Sequence, residues 1–378
     1  MTSAAELLKE LVSINSVNPD LVPDAAGEGE IAAFCAQWLE TRGFEVHRLE
    51  ERKGRPSIVG IAKGRGGGRS LMFNGHIDTV TLAGYDGDPL LAKVEDGKIF
   101  GRGSFDMKSG VAAMMVAAAN AAKQQLAGDI LVACVADEEY ASIGTAEVAR
   151  HFKADAAIVT EPSHLELTLA HKGFVWFDVI VEGRAAHGSR PDIGIDAIAK
   201  AGHFLVALEA YGQKLVAGEG HPVLRTGSVH ASIIRGGEEW SSYPASCRIS
   251  IERRTIPGES GDSVEKELTA ILDAIARSVP DFSYRIERGL ERVPFEAKTD
   301  EAIVACLRKH ATQALGRAPK IRGEPFWTDC AILKEAGIPS LLFGADGAGA
   351  HAATEWASIE SIETLAHILE RTAVDFCG

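Results

Sequence analysis

Apolar and polar positions repeat with helical and then with strand spacing along the first part of the chain. Helical spacing over residues 4–12 and 28–42 predicts two helices, and Gly43 is placed to end the second before a strand at 44–49. Further strands are predicted at 57–62, 70–73, 129–136 and 156–160, with a buried helix at 109–123. This order predicts an α/β domain with a mostly parallel sheet and helices on both faces, whose ligands bind beyond the carboxyl ends of the strands.

The pattern changes after residue 173. Residues 174–182, 229–234 and 246–253 alternate as strands do, and helical spacing occupies 196–211 and 263–278. The order strand, helix, strand, strand, helix, strand predicts a ferredoxin-like α+β lid domain inserted into the first domain. The α/β pattern returns with helices at 300–315, 329–336 and 360–376 and a strand at 340–343. We therefore expect a catalytic domain formed by residues 1–173 and 289–378, and a lid formed by residues 174–288.

Composition and charge narrow the choice of partner and compartment. A chain of 378 residues with 46% hydrophobic residues supports two domains, and its net charge of −14 disfavours nucleic acid or a membrane surface as a partner. An anionic substrate stays possible, because an arginine or a metal ion can reverse the potential within one cleft. The longest apolar stretch, 111–119, is too short to span a bilayer, and residues 1–19 lack a signal-peptide pattern. The six cysteines are dispersed and form no Cys-x-x-Cys pair, which indicates reduced thiols. The expected location is therefore the cytoplasm.

Imidazole and carboxylate groups follow several predicted strands. Taken singly, His76 is more often a hydrogen-bonded structural residue than a ligand, and Asp78 or Asp106 could be a helix or turn cap. Similarly, the acidic pair Glu138 and Glu139 could be a solvated turn, and Glu161 and His351 could be ordinary turn and loop residues. Taken together, they provide the ligands that a pair of divalent ions needs, including a carboxylate that could be shared. Since strand ends converge at one edge of a parallel sheet, these groups could all meet.

The joint pattern resembles the di-zinc peptidase and deacylase family that includes acetylornithine deacetylase, succinyl-diaminopimelate desuccinylase, aminoacylase and the glutamate-releasing carboxypeptidase. The resemblance spans nearly the whole chain. It is carried by residues 73–80, 101–110, 136–139, 160–162, 171–173, 183–189 and 337–339, together with His351.

The resemblance implies two zinc ions per chain, with cobalt as a possible substitute. It implies that His76, Asp106 and Glu161 hold one ion, and that Asp106, Glu139 and His351 hold the other, with Asp106 as the bridge.

The resemblance also implies roles for four further side chains. Asp78 would orient His76, and Glu138 would be the general base and acid that moves a proton from water to the leaving amine. His187 in the lid would stabilise the developing oxyanion, from the same chain or from a partner subunit, and Arg254 would bind the substrate carboxylate.

Two segments depart from the family pattern. Ser241 stands where relatives often have asparagine, and 343–347 reads Phe-Gly-Ala-Asp-Gly where they often have Phe-Gly-Pro-Gly. Trp240, Tyr243 and Asp346 are therefore candidates for setting an unusual side-chain preference, which weakens assignment to one of the known biosynthetic reactions.

The resemblance thus implies a di-zinc amidohydrolase that cleaves the amide bond of an N-acyl amino acid. It also implies a homodimer formed through the lid, and a small-molecule N-acyl amino acid or a short peptide as the binding partner. A dipeptidase or carboxypeptidase using the same site is the alternative within this chemistry. A noncatalytic amino-acid-binding protein on the same fold is a more distant alternative, because fold alone does not determine function.

Overall fold

The computed structural model describes residues 3–378, so the first two residues of the predicted catalytic domain lie outside the described part. Its elements up to residue 171 are α1 (Ala4–Ser13), α2 (Gly29–Glu40), β1 (Glu45–Leu49), β2 (Ser57–Ala62), β3 (Leu71–His76), β4 (Lys93–Glu95), β5 (Lys98–Phe100), α3 (Ser109–Ala122), β6 (Ile130–Val135), α4 (Ile143–His151), β7 (Ala156–Val159) and β8 (Leu167–His171). The later elements are β9 (Gly173–Glu182), α5 (Ala197–Ala217), β10 (Ser228–Gly236), β11 (Ser246–Thr255), α6 (Gly261–Ser278), β12 (Ser283–Arg292), β13 (Phe295–Glu296), α7 (Ala302–Leu315), β14 (Ile321–Glu324), α8 (Cys330–Glu335), β15 (Ser340–Leu342), β16 (Gly347–Ala348), β17 (Trp356–Ser358) and α9 (Ile359–Cys377).

The chain forms two compact units. The first contains the residues up to 169 together with 297–322 and 328–378, and the second contains 170–296 and 323–327. The insertion predicted for residues 174–288 falls within the second unit.

A mixed sheet forms the centre of the first unit. Its strand order is β1-β2-β6-β3-β7-β15-β8. Strand β3 lies between β6 and β7 and is parallel to both, and β15 is parallel to β7. The predicted α/β fold with parallel central strands is therefore confirmed, and the three strands that precede candidate site residues are neighbours.

Helix α3 packs against the central sheet and fixes the position of the loop that precedes it. It consists almost entirely of buried small and apolar residues and contacts β3, β6, α1 and α9. At Gly110 a Cβ atom would lie 2.0 Å from the backbone oxygen of Thr160, so a larger residue would push the helix away from the end of β7. This close approach places the segment that precedes α3 next to the residues that follow β7.

The second unit has the predicted ferredoxin-like fold. Its four strands are all antiparallel in the order β10-β11-β9-β12, and α5 and α6 contact the sheet and each other. Its core contains Phe177, Phe204, Ile249 and Leu268, all at most 1% exposed. Helix α5 continues beyond its predicted end at residue 211 to Ala217, because Leu215 still packs against this core.

The sequence analysis missed several short elements of the first unit. Residues 82–102, for which the sequence analysis predicted no helix or strand, contain the hairpin β4–β5, which belongs to a small sheet of order β16-β17-β5-β4. Strand β4 is fully exposed, so it lacks the alternating pattern of a half-buried strand. The turn residues Asp96 and Gly97 both have positive φ angles, of 49° and 74°, and this Asp-Gly pair is the hairpin signal that could have revealed it.

Helix α4 was also missed, and its amphipathic pattern is short. His76 is the last residue of β3, whereas the sequence analysis placed it just after the strand.

Two further observations concern the whole described chain. Among residues 3–378, no helix combines the length and apolar character needed to cross a lipid bilayer. The six cysteines are free thiols, and five of them are buried.

Candidate metal centre

Three neighbouring strand ends bring the first candidate residues together. His76 ends β3, the acidic pair Glu138 and Glu139 follows β6, and Glu161 follows β7. The parallel register aligns His76 with Val135 at the end of β6. The sheet therefore delivers an imidazole and three carboxylates to one edge, as the sequence analysis expected.

A buried glutamate holds the loop that carries Asp106. Glu355, which is 1% exposed, accepts hydrogen bonds from the backbone N–H groups of Gly103, Phe105 and Asp106, each at 3.0 Å, and from Nη1 of Arg102 at 2.8 Å. The peptide bond between Asp106 and Met107 is cis. One carboxylate therefore holds the backbone of this loop at three residues, including the residue whose side chain reaches the site.

The two oxygens of Asp106 face two different histidines. Oδ1 lies 3.2 Å from Nε2 of His76, and Oδ2 lies 3.3 Å from Nε2 of His351. Nε2 of His76 is also 3.4 Å from Oε1 of Glu161, whereas Nε2 of His351 is 3.0 Å from Oε2 of Glu139. The arrangement therefore has two halves, one around His76 and one around His351, that share Asp106. Ligand atoms of His76, Asp106 and Glu139 also lie within 4.8 Å of one another, as do those of His76, Glu138 and Glu161, so the assignment of each carboxylate to one ion stays a prediction.

The electrostatics of these groups fit divalent cations. Burial and, to a lesser extent, nearby carboxylates raise the pKa of Glu161 well above its usual value and the pKa of Glu139 to about 7. Burial would also raise the pKa of Asp106, but hydrogen bonds from His351 and His76 lower it. Hydrogen bonds to Asp106 and Glu139 raise the pKa of His351 to about 10. Cations placed between these groups would supply the positive charge that their ionised carboxylates need.

Glu138 lies at the same edge of the sheet and has a different environment from Glu139. A carboxylate oxygen of Glu138 lies within 4.8 Å of ligand atoms of His76 and Glu161. Burial and the negative charge of Glu161 raise its pKa well above its usual value. A buried carboxylate with a raised pKa beside a metal site can accept and return a proton near neutral pH.

Asp78 contacts both His76 and the backbone of the acidic pair. Nδ1 of His76 is 3.0 Å from the backbone oxygen of Asp78 and 3.4 Å from its Oδ1. The Asp78 carboxylate also accepts the backbone N–H groups of Glu138 at 3.1 Å and Glu139 at 3.3 Å. Asp78 thus contacts His76 mainly through its backbone oxygen, while its side chain also fixes the loop after β6.

Several residues around the site were missed by the sequence analysis. Asn18 and Arg55 contact the carboxylates behind the site, Glu355 holds the Asp106 loop, and Asp329 is a further buried carboxylate. Burial raises the pKa of Asp329 to about 6, although Thr145 donates a hydrogen bond to it at 2.6 Å. Among these residues, only Asp329 belongs to a local pattern typical of a helix cap, the Thr-Asp pair that precedes α8. The contacts of Asn18, Arg55 and Glu355 join segments that are distant in the sequence.

The remaining predicted residues, His187 and Arg254, belong to the second unit. His187 is exposed, and its Nδ1 lies 2.8 Å from Oγ of Ser189. Arg254 on β11 is partly exposed, pairs with Glu252 at 2.7 Å and stacks on Phe174. Its neighbour Arg253 faces the opposite side of the strand and is fully buried.

The structure also shows the contacts of the two segments that depart from the family pattern. Trp240 is fully exposed, and Oγ of Ser241 is 3.4 Å from Oε1 of Glu239. In the first unit, Oδ1 of Asp346 lies 2.5 Å from Nδ1 of His164, whose ring is 5.8 Å from that of Phe105. Asp346 therefore lies close to the Asp106 loop, and its effect on substrate choice stays a prediction.

Sequence comparison matches the chain to one protein family and to a relative of similar length. Residues 72–375 match the sequence profile of Peptidase family M20/M25/M40. The chain is 30% identical over 386 residues to an acetylornithine deacetylase of Myxococcus xanthus, covering 98% of this chain and 97% of the relative.

Two solved structures share the fold. A tripeptidase from Staphylococcus aureus has a TM-score of 0.80 at 20% identity, covering 99% of this chain and 98% of the other. A dinuclear metal-binding peptidase of the M20 family from Bacillus subtilis has a TM-score of 0.77 at 16% identity, covering 99% and 97%.

Proposed function

This chain belongs to peptidase family M20/M25/M40 and is a hydrolase of amide bonds, and from this premise we propose that it is a di-zinc deacylase that releases an amino acid from an N-acyl amino acid. The observation that carries the proposal is the shared carboxylate of Asp106, whose two oxygens face His76 and His351 separately. Support for the acyl substrate comes from the similarity to acetylornithine deacetylase over nearly the full length of both chains.

The donor set indicates which residues would hold the ions. We assign His76, Asp106 and Glu161 to one zinc and Asp106, Glu139 and His351 to the other. Zinc bound there would polarise the substrate carbonyl and lower the pKa of water towards about 7. Imidazole and carboxylate ligands also accept cobalt, which makes Co²⁺ a usable probe.

The chain's own residues then account for the proton transfers. Glu138 accepts a proton from the water whose oxygen attacks the carbonyl carbon. As the C–N bond breaks, Glu138 gives that proton to the leaving nitrogen, so that a free amino acid and a carboxylic acid are produced. Asp78 holds the loop that presents Glu138 through the backbone N–H group at 3.1 Å.

Two roles in the second unit rest on the family resemblance alone. We assign His187 to donate a hydrogen bond to the oxyanion that develops on the carbonyl, and Arg254 to bind the α-carboxylate of the substrate. The free thiols are compatible with the reducing cytoplasm, where we place the protein.

The function is tested by a substrate panel measured together with metal content. We expect two ions per chain and faster hydrolysis of N-acetyl or N-succinyl amino acids than of dipeptides. Chelation should abolish the activity, and added Zn²⁺ or Co²⁺ should restore it. Faster hydrolysis of dipeptides or of longer peptides would favour the peptidase alternative, which the tripeptidase-like fold permits. Absence of both bound metal and hydrolysis after reconstitution would contradict the proposal and favour a binding protein.

We further propose that the protein forms a homodimer through the second unit. Strand β10 lies at the edge of its sheet, with Ile233 and Ile234 about half exposed. The adjoining helix α5 exposes Val206 and Val216, at 71% and 68%. A cavity of about 640 Å³ lies between α5 and β10. An unpaired strand edge beside exposed apolar side chains favours association with a second copy.

The dimer can be tested by light scattering coupled to gel filtration. The wild-type mass should be about 80 kDa, twice the chain mass of 40.2 kDa. Ile234→Asp should reduce it to about 40 kDa, because a charge would be buried in the interface. Val94→Asp is the matched control, since Val94 is equally exposed, at 52%, but lies in the first unit. A monomeric wild-type protein would contradict this proposal.

A further inference from the structure

Arg55 lies just before β2 and joins three carboxylates. Its Nε and Nη2 atoms donate to the two oxygens of Glu28 at 2.8 and 2.7 Å. Nη2 also donates to Oδ1 of Asp137 at 2.7 Å, and Nη1 donates to Asp20. Arg55 is 3% exposed, while Glu28 and Asp137 are fully buried. The guanidinium group therefore compensates buried negative charge directly before the acidic pair that follows β6.

Asn18 connects this group of charges to Asp78. Its Nδ2 atom lies 3.0 Å from Oδ1 of Asp137 and 2.8 Å from Oδ2 of Asp78, and all three side chains are fully buried. The orientation of the amide is defined, because its Oδ1 accepts the backbone N–H group of Asp20 at 2.9 Å. The two hydrogens of one amide group thus serve two carboxylates, one held by Arg55 and one next to His76.

The loop that carries the acidic pair depends on the same contacts. Asp137 has a φ angle of 71°, a left-handed conformation that is uncommon for an aspartate. Its backbone oxygen accepts the N–H group of Ala141 at 3.0 Å, and its side chain is held by Arg55 and Asn18. Residues in such a conformation persist where surrounding contacts hold them, and they cluster at functional sites.

We propose that Arg55 is a positioning residue for the metal centre. By fixing the Asp137 carboxylate, it keeps Asn18 bonded to Asp78, and Asp78 in turn sets the orientation of His76 and of the loop bearing Glu138. This inference rests on the proposed metal centre, because its effect is exerted on the residues assigned there. Outer contacts of this kind typically change metal affinity about 10- to 100-fold when removed.

The test uses Co²⁺ as a probe of ligand geometry. We expect Arg55→Met to weaken binding of at least one Co²⁺ ion by about 10-fold or more and to change the visible absorption spectrum. Arg55→Lys keeps the charge but cannot reproduce the forked contacts, so its affinity should lie between those of Arg55→Met and the wild type. Affinity is measured by competition with a chelator, so that no substrate is needed.

Arg52→Met is the matched control. Arg52 is about half exposed and also pairs with Asp20, at 2.5 and 2.6 Å, but it does not contact Asp137. We expect its Co²⁺ spectrum and affinity to match those of the wild type. If Arg55→Met behaves like this control, the positioning role is wrong while the metal centre stands. If the wild-type protein itself binds no Co²⁺, both the metal centre and this inference are overturned.

Asn18→Ala provides a second route if Arg55→Met fails to fold. This variant cuts the link between Asp137 and Asp78 without changing any charge. It should shift the Co²⁺ spectrum and weaken binding in the same direction as Arg55→Lys. A folded Asn18→Ala protein with wild-type spectrum and affinity would show that Asp78 does not depend on this chain of contacts.

Discussion

Glu138→Gln is expected to lower kcat by about 10²- to 10⁴-fold, the usual contribution of a general base. The substitution keeps the size of the side chain but removes its ability to accept a proton. The acidic limb of the kcat pH profile, which reports a base that must be ionised, should disappear in the same variant. Metal content should stay at the wild-type value, because Glu138 is assigned as the base and not as a ligand.

The measurement must separate a base from a ligand, because Glu138 also lies within reach of His76 and Glu161. A variant that loses metal together with activity would show that Glu138 is a ligand. A variant with wild-type kcat would show that it is neither. Glu335→Gln is the control, because Glu335 is an exposed glutamate at the end of α8 and its substitution should change neither quantity.

Asp106→Asn is expected to affect both halves of the metal centre. An amide carries no charge, and a shared anionic ligand between two dications contributes several kcal/mol, so binding of each ion should weaken by about 10²- to 10³-fold. Activity should fall to background. Metal analysis after gel filtration checks this, and the metal content should fall below one ion per chain.

His351→Ala provides the comparison. His351 faces Asp106 and Glu139, whereas the contacts of His76 with Asp106 and Glu161 do not involve it. Its loss should therefore remove one ion and leave the other. If Asp106→Asn retains two ions, or if both variants lose metal equally, the assignment of Asp106 as the shared ligand is wrong.

The strand ends explain why much of the candidate site could be predicted from sequence. His76 ends a strand, and the pair after β6 and Glu161 each follow one. All three strands contain a short apolar run, which is typical of buried parallel strands. Neighbouring parallel strands must present their ends at one edge, so local patterns were enough to group these residues. The family resemblance added His351, whose place depends on the separate β16–β17 hairpin.

The supporting contacts could not be predicted in this way. Glu355 binds a loop some 250 positions earlier in the chain, and Arg55 reaches Asp137 across 82 positions. Such pairs leave no periodic pattern, because each depends on how separate segments pack. The same applies to Arg253, whose charged side chain predicts exposure but whose contacts with Tyr211 and Glu259 satisfy it in the core.

The strand order of the first unit has a consequence for synthesis on the ribosome. Strand β15, residues 340–342, lies between β7 and β8, which emerge about 180 and about 170 residues earlier. His351 and Glu355 emerge later still, whereas the core of the second unit is drawn from residues 175–282. The nascent chain can therefore form the core of the second unit before β15 completes the sheet of the first unit. The half of the site around His76 is translated long before the half around His351, so the proposed two-ion centre can form only after His351 has left the ribosome.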